Sequence, residues 1–464
     1  MLSFFDGNNR LARRSFLRIG SLTLGGMSLP WLLEQQARAA DGPSYLKNKA
    51  VVFLFMHGGP SQIETFDPKL TAPTDIHSTT GEVATTIPGI TFGGTFTKLA
   101  SLAHRLTVVR SFVTGDGNHD IKPIVGKDTF GANLGSIYAR IAGTNHPRTG
   151  IPINVALYPQ AVDPTTKPTT NNFGRFDSSG ALGSAYAPFE PSGGGELQND
   201  MRLSLSMDRL GDRRGLLNKL DQAKWTLTEA GLLEGIDRMR EQAFGTILSG
   251  VADAFDLSKE SPSTLARYDT APLVRPENID RKWNNYNNYV DNSKSLGKLL
   301  LLARRLCERG CGFVTITTNF VWDMHSDVNN AGVEEGMRYM GVPFDHAVSA
   351  FIEDVHARGL DDRILLVCCG EMGRTPRINK TGGRDHWGNL APLLLSGGGL
   401  NMGRVIGQSN RDAGEPQSEP VTIKNLIATI MHTMVDVGDV RIQRGLPRDI
   451  SQTMTSWEPI PGLL

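Results

Sequence analysis

The sequence predicts an α/β protein built on a central, mostly parallel sheet flanked by helices on both faces. Three observations predict it. Apolar runs such as Ala50 to Met56 and Ile364 to Cys369 have strand length and no polar alternation, as strands covered on both faces do. Amphipathic stretches at helical spacing, such as Phe344 to Arg358, alternate with these runs through the last third of the chain. The runs also end abruptly in histidines, acids or arginines, and in open α/β sheets ligands bind at the carboxyl ends of the strands.

Met1 to Ala40 reads as an export leader. Arg13-Arg14-Ser15-Phe16-Leu17 is a twin-arginine motif, Leu22 to Leu33 a short apolar core, and Ala37-Arg38-Ala39 a small-residue cleavage pattern. That core, about twelve residues, falls short of the roughly twenty that span a bilayer. The expectation is therefore a mature chain, 41–464, with no integral membrane span, carried by the twin-arginine export machinery to the periplasm or beyond. Lys+Arg and Asp+Glu balance at 48 each over the whole chain, so no global field argues for nucleic acid. Without the leader the balance is mildly acidic. The four cysteines have neither disulfide-framework nor zinc-finger spacing and read as buried thiols.

Along the mature chain, the first predicted strand, Ala50 to Met56, stops at His57-Gly58-Gly59-Pro60-Ser61. A second, Leu106 to Val109, leads into Asn118-His119-Asp120. From Ile151 to about Leu203 the pattern dissolves into Pro, Thr, Gly and Ser; helical periodicity follows over Asp212 to Leu257 and Asn288 to Arg309, so 151–300 reads as an insertion that caps the sheet. The last third alternates a strand over Gly312 to Val321, the Phe344 to Arg358 helix, a strand over Ile364 to Cys369, a strand over Leu390 to Leu395, and a helix over Thr422 to Val435.

Chemistry-bearing residues gather behind these strands. His57, His119, His325 and His386 all fall at one edge of a parallel sheet, with Asp323, Glu371 and Asp385 beside them. Asp323 and His325 are two apart, so in an extended segment they face the same way. Mixed carboxylate and imidazole donors suit divalent metals such as zinc, manganese or calcium, and a group of this size could hold one ion or two. Arg374 and Arg384 have the guanidinium fork that matches two oxygens of a phosphate or sulfate; pairing with the neighbouring acids is their structural alternative. Ser61 follows a glycine turn and is either the N-cap of a helix or a nucleophile.

In that order, the leader, FLFMHGGPSQIETFDPK, WDMHSD, GEMGRTP and GRDHWG resemble the bacterial DUF1501 family over nearly the whole mature chain. That family is related to the alkaline phosphatase and sulfatase superfamily. The resemblance implies an alkaline-phosphatase-like sheet with one or two metals at the strand ends, and it makes Asp323, His325, Glu371, Asp385 and His386 counterparts of the superfamily's later ligands. The sequence departs from that pattern at His57, where an aspartate is usual, and at Glu371-Met372, where Asp-His is usual. It also lacks C-x-P-x-R and S-x-P-x-R, which argues against an ordinary sulfatase. Two functions are expected from this reading. One is an exported metal-dependent hydrolase of small or polymeric phosphate or sulfate esters, attacking through bound water or Ser61. The other is a non-catalytic binding protein on the same scaffold at the cell envelope.

Overall fold

A computed structural model describes residues 45–191, 251–317, 319–443, 446–448, 450–451 and 456–464, with two paired dipeptides, Phe5–Asp6 and Asn9–Arg10. Apart from those dipeptides, the expected leader 1–40 lies outside the described residues, as does most of the helical pattern expected over 212–257.

Seven strands form the central sheet: β1 (Ala50–Phe55), β2 (Thr107–Val109), β3 (Asn154–Leu157), β4 (Phe313–Thr317), β5 (Ile364–Cys369), β6 (Leu393–Gly397) and β7 (Arg404–Ile406), in spatial order β7-β2-β6-β5-β1-β4-β3. Six run one way and β6 alone runs against them. The sheet is thus mixed and mostly parallel. Side chains alternate between two cores. Val52, Leu54, Leu366 and Ile316 face α3 (Tyr286–Glu308) and α4 (Val333–Ala357), while Val51, Phe53, Leu365 and Val367 face α2 (Leu134–Ala142) and α5 (Ile423–Met434). Both faces being covered explains why β1 and β5 lack polar alternation. A short helix, α1 (Gln62–Thr65), follows β1 directly.

Several boundaries differ from expectation for identifiable reasons. The strand expected over Leu390 to Leu395 begins only at Leu393, because Pro392 has no amide to donate to the ladder. β4 stops at Thr317, and Asn319 takes a positive φ of 57° that turns the chain toward Asp323. α4 begins eleven residues before Phe344 and carries Pro343 in its interior. The expected insertion over 151–300 also needs correcting. Asn154–Leu157 pairs in parallel with β4 as an edge strand, and α3, which occupies the end of that range, packs into the main core. Strands β3 and β7, of four and three residues, were too short for periodicity to reveal.

Cys307, Cys311, Cys368 and Cys369 are free and buried, and burial pushes each thiol up in pKa. No helix among the described residues is long and apolar enough to cross a membrane.

Candidate metal centre

The carboxyl ends of β1, β4 and β5 lie side by side, and the loops leaving them carry His57, Asp323 with His325, and Glu371 with Arg374. A two-stranded ribbon pairs Gly373–Arg374 with His386–Trp387, which returns His386 to the same place. His119 arrives on the loop after Phe112–Val113.

Four residues converge. Single donor atoms from His119, Asp323, His325 and His386 all lie within 4.8 Å of one another. The Asp323 Oδ1 is the centre, with His325 Nε2 at 3.0 Å and the Nε2 atoms of His119 and His386 at 3.5 Å each. Bonds of about 2.0–2.1 Å arranged tetrahedrally put ligand atoms roughly 3.3–3.4 Å apart, and Oδ1 stands 3.0 to 3.5 Å from the three nitrogens, on either side of that spacing.

The surroundings orient those rings. His119 Nδ1 lies 3.1 Å from Glu371 Oε1, and His325 Nδ1 lies 3.2 Å from Asp385 Oδ1. A carboxylate on Nδ1 favours the tautomer with its proton there and turns the Nε2 lone pair inward. Glu371 is itself anchored, accepting from the Gly58 amide at 2.9 Å, and Asn330 Nδ2 donates to the second oxygen of Asp323 at 2.9 Å. The His386 Nε2 is buried and has no hydrogen-bond partner. Lone pairs turned toward a carboxylate oxygen need positive charge among them, and Arg374 supplies one such charge, donating to the Asp323 Oδ1 and standing 3.2 Å from the His325 Nε2. With neutral imidazoles, Asp323, Glu371 and Asp385 also outnumber the Arg374 charge by two, which a divalent ion would cancel. The donor set therefore fits one divalent ion, held by His119, Asp323, His325 and His386.

Electrostatics support the same centre. Burial alone would raise the Asp323 carboxyl; the adjoining His119, His325 and His386 rings and the Arg374 guanidinium override it and hold the group well below the usual range. For His119 burial favours the neutral form, but Asp323 and Glu371 outweigh it and raise the pKa.

The other expected site residues fall elsewhere. Glu371 and Asp385 stand behind histidines, outside the four-donor cluster. His57 is walled off by Phe55, Phe173, Phe176 and Phe320, with ring centroids 5.2 to 5.8 Å away. Both its ring nitrogens are buried without a partner, and desolvation, opposed by Glu371, lowers its pKa. His57→Leu, close in volume, is therefore expected to stabilise the fold by about 1–2 kcal/mol in urea unfolding, since it removes unsatisfied buried nitrogens. Lower stability would mean that the imidazole has a partner.

Ser61 is the N-cap of α1. Its Oγ accepts from the amides of Ile63 and Glu64 at 3.2 and 3.3 Å, and it is 3% exposed, so it is not presented as a nucleophile. Neither arginine offers a free fork. Arg374 donates to Asp323 at 2.5 Å, to Gly59 O at 2.7 Å, and to the carbonyls of Gly58 and Arg384. Arg384 is fully buried against Glu64 and four carbonyls, and cannot touch an oxyanion. Asn330 is a site residue that sequence reasoning missed; its place seven residues after Asp323 gave no signal.

A family model described as "Protein of unknown function (DUF1501)" matches residues 48–450. Among solved structures, Ps i-CgsB aligns with a TM-score of 0.34 and 10% identity, covering 89% of this chain and 77% of its own. The lipoteichoic acid synthase LtaP from Listeria monocytogenes gives 0.32 and 7%, with 86% and 77% covered. The PsFucS1 sulfatase from Pseudoalteromonas sp. gives 0.34 and 10%, with 86% and 71% covered. No curated protein matches the sequence. Scores of this size leave the reading of the site to its own residues.

Proposed function

Since the chain belongs to the DUF1501 family, whose description names no activity, we propose, from the ion site together with the sequence resemblance to the alkaline phosphatase and sulfatase superfamily, that it is a single-ion, metal-dependent hydrolase of phosphate or sulfate esters. The observation that carries this reading is the convergence of three imidazole Nε2 atoms on the Asp323 Oδ1, two of them with carboxylates behind. A divalent ion bound there would supply Lewis acidity toward an ester oxygen. His119, Asp323, His325 and His386 would hold it; Glu371, Asp385 and Asn330 would orient them; Arg374 would keep Asp323 ionised. Export by the twin-arginine route belongs to the proposal and is supported by Arg13-Arg14 and the apolar stretch after it.

A second reading, a metal-dependent binding protein without turnover, is favoured by the roles of Ser61, Arg374 and Arg384, all committed to structural contacts. One set of measurements separates the two. The purified protein is titrated with Zn²⁺, Mn²⁺ and Ca²⁺, then assayed on phosphate monoesters, diesters and sulfate esters. Tight binding of one ion with ion-dependent turnover is expected. Binding without turnover on any ester selects the second reading, and no ion binding at all ends both. An Arg13-Arg14→Lys-Lys change that leaves the cellular location unaltered would count against the export route.

A further inference from the structure

Arg384 is 0% exposed, as is its counter-charge Glu64. Its Nε and Nη2 lie 3.2 and 2.8 Å from Glu64 Oε1, and its remaining donors reach the carbonyls of Thr375, Pro376, Ile76 and His77. Glu64 is saturated from its other side by the Ser78 hydroxyl at 2.9 Å and the Thr79 amide at 3.0 Å. The Ser61 cap fixes the short helix on which Glu64 stands. A buried pair with every donor and acceptor matched is held in one geometry, because any displacement exposes an unpaired charge to a nonpolar interior.

The main chain of the same residue grips the site. The Arg384 amide donates to the carbonyl of Met324, the residue between Asp323 and His325, at 3.0 Å. Its own carbonyl accepts from Arg374 Nη1 at 3.2 Å. Asp385, behind His325, follows it directly, and His386 comes next. The side chain is therefore anchored in the scaffold while the backbone ties together the two loops that deliver Asp323, His325 and His386. Among the four donors only His119 is positioned independently, through Glu371.

We propose that Arg384, with Glu64 as its buried counter-charge, is the positioning residue of the ion site: it sets the separation of the Asp323–His325 loop from His386 without touching ion or substrate. The inference rests on the single-ion reading above. It also assigns a role to the Ser61 to Thr65 turn, which becomes the platform for Glu64.

The test compares Arg384→Gln with Arg304→Gln, a control in a second buried ion network, where Arg304 meets Glu260, Glu308 and Asp354. That network sits near the carboxyl end of α3, just before β4 begins, at the sheet edge opposite the ion site. Zn²⁺ affinity is measured by chelator competition, and the Tm of ion-free protein is recorded in parallel. Arg384→Gln is expected to weaken Zn²⁺ binding by about 10–100-fold, the range for changes behind metal ligands. Arg304→Gln is expected to lower the Tm comparably and shift the affinity by less than about threefold, since distant sites are nearly independent. Glu64→Gln and Arg384→Lys, milder changes, carry the test if Arg384→Gln does not fold, each with a smaller loss in the same direction. Equal affinity losses at Arg304 and Arg384, or wild-type affinity in the Arg384 and Glu64 variants, would overturn the positioning role. Failure of the wild-type protein to bind Zn²⁺, Mn²⁺ or Ca²⁺ would instead overturn the single-ion reading on which it depends.

Discussion

Asp323→Ala is expected to abolish ion binding and to cost the ion-free protein about 3–5 kcal/mol of stability, the penalty for leaving one partner of a buried ion pair alone. Both effects follow from one oxygen. Oδ1 faces three imidazole nitrogens and the Arg374 guanidinium at once, so no other acceptor can replace it for either role. Arg374 is 0% exposed; without Asp323 its charge would retain only backbone carbonyls and the His325 ring as neighbours. Calorimetric titration with Zn²⁺ and urea unfolding of the ion-free variant check the two parts separately. Asp323→Asn, which keeps the shape and loses the charge, should retain part of the stability while still binding the ion at least about 100-fold more weakly, beyond the usual loss from outer positions. An Asp323→Ala protein that binds Zn²⁺ within tenfold of wild type would remove Asp323 from the centre.

Much of this centre was legible as a list of residues, and much less of it as a set of roles. The run Ile364 to Cys369 is a strand with the expected boundaries because six apolar residues buried on both faces leave no other reading, and the charge cluster behind it marks the functional edge. His119, Asp323, His325 and His386 were all recognisable there. Whether a side chain touches an ion or stands behind a residue that does is set by distances of one or two ångströms, and spacing along the chain carries no such information. Glu371 and Asp385 illustrate this, since both belong to the site and both face Nδ1 atoms. The arginines mark a different limit. A guanidinium near acids looks the same in sequence whether it awaits an oxyanion or is closed by carbonyls such as those of Ile76 and Pro376, which come from distant or irregular segments. His57 fails for a third reason: the four phenylalanines around it come from β1, the 173–176 turn and the loop after β4, so its isolation is a product of tertiary packing.

Those assigned roles make Glu371→Gln the more discriminating experiment, because it separates two effects of one carboxylate. In the ion-free protein the raised pKa of His119 means that its contribution to stability is fully present below the unfolded value of about 6.5 and is lost as pH rises through the folded value. Ion binding has the opposite sign. A proton on His119 competes with the ion, so affinity should climb with pH across the same window and level off above it. Replacing Glu371 by glutamine keeps an acceptor for the Gly58 amide, so the turn after β1 should survive. It removes one of the two charges that raise His119, which should move the midpoint of pH-dependent binding to lower pH. It also weakens the hold on the His119 ring, which should reduce affinity on the high-pH plateau by about 10–100-fold. The two changes oppose each other in acid and reinforce nothing at neutral pH, so a chelator-competition titration over a range of pH resolves them. Asp385→Asn supplies the comparison. Its side chain is 58% exposed, so solvent screens its bond to His325, and its plateau loss should stay below about tenfold. A larger loss at Asp385 than at Glu371, or an unmoved midpoint in Glu371→Gln, would mean that burial does not decide which carboxylate governs the centre.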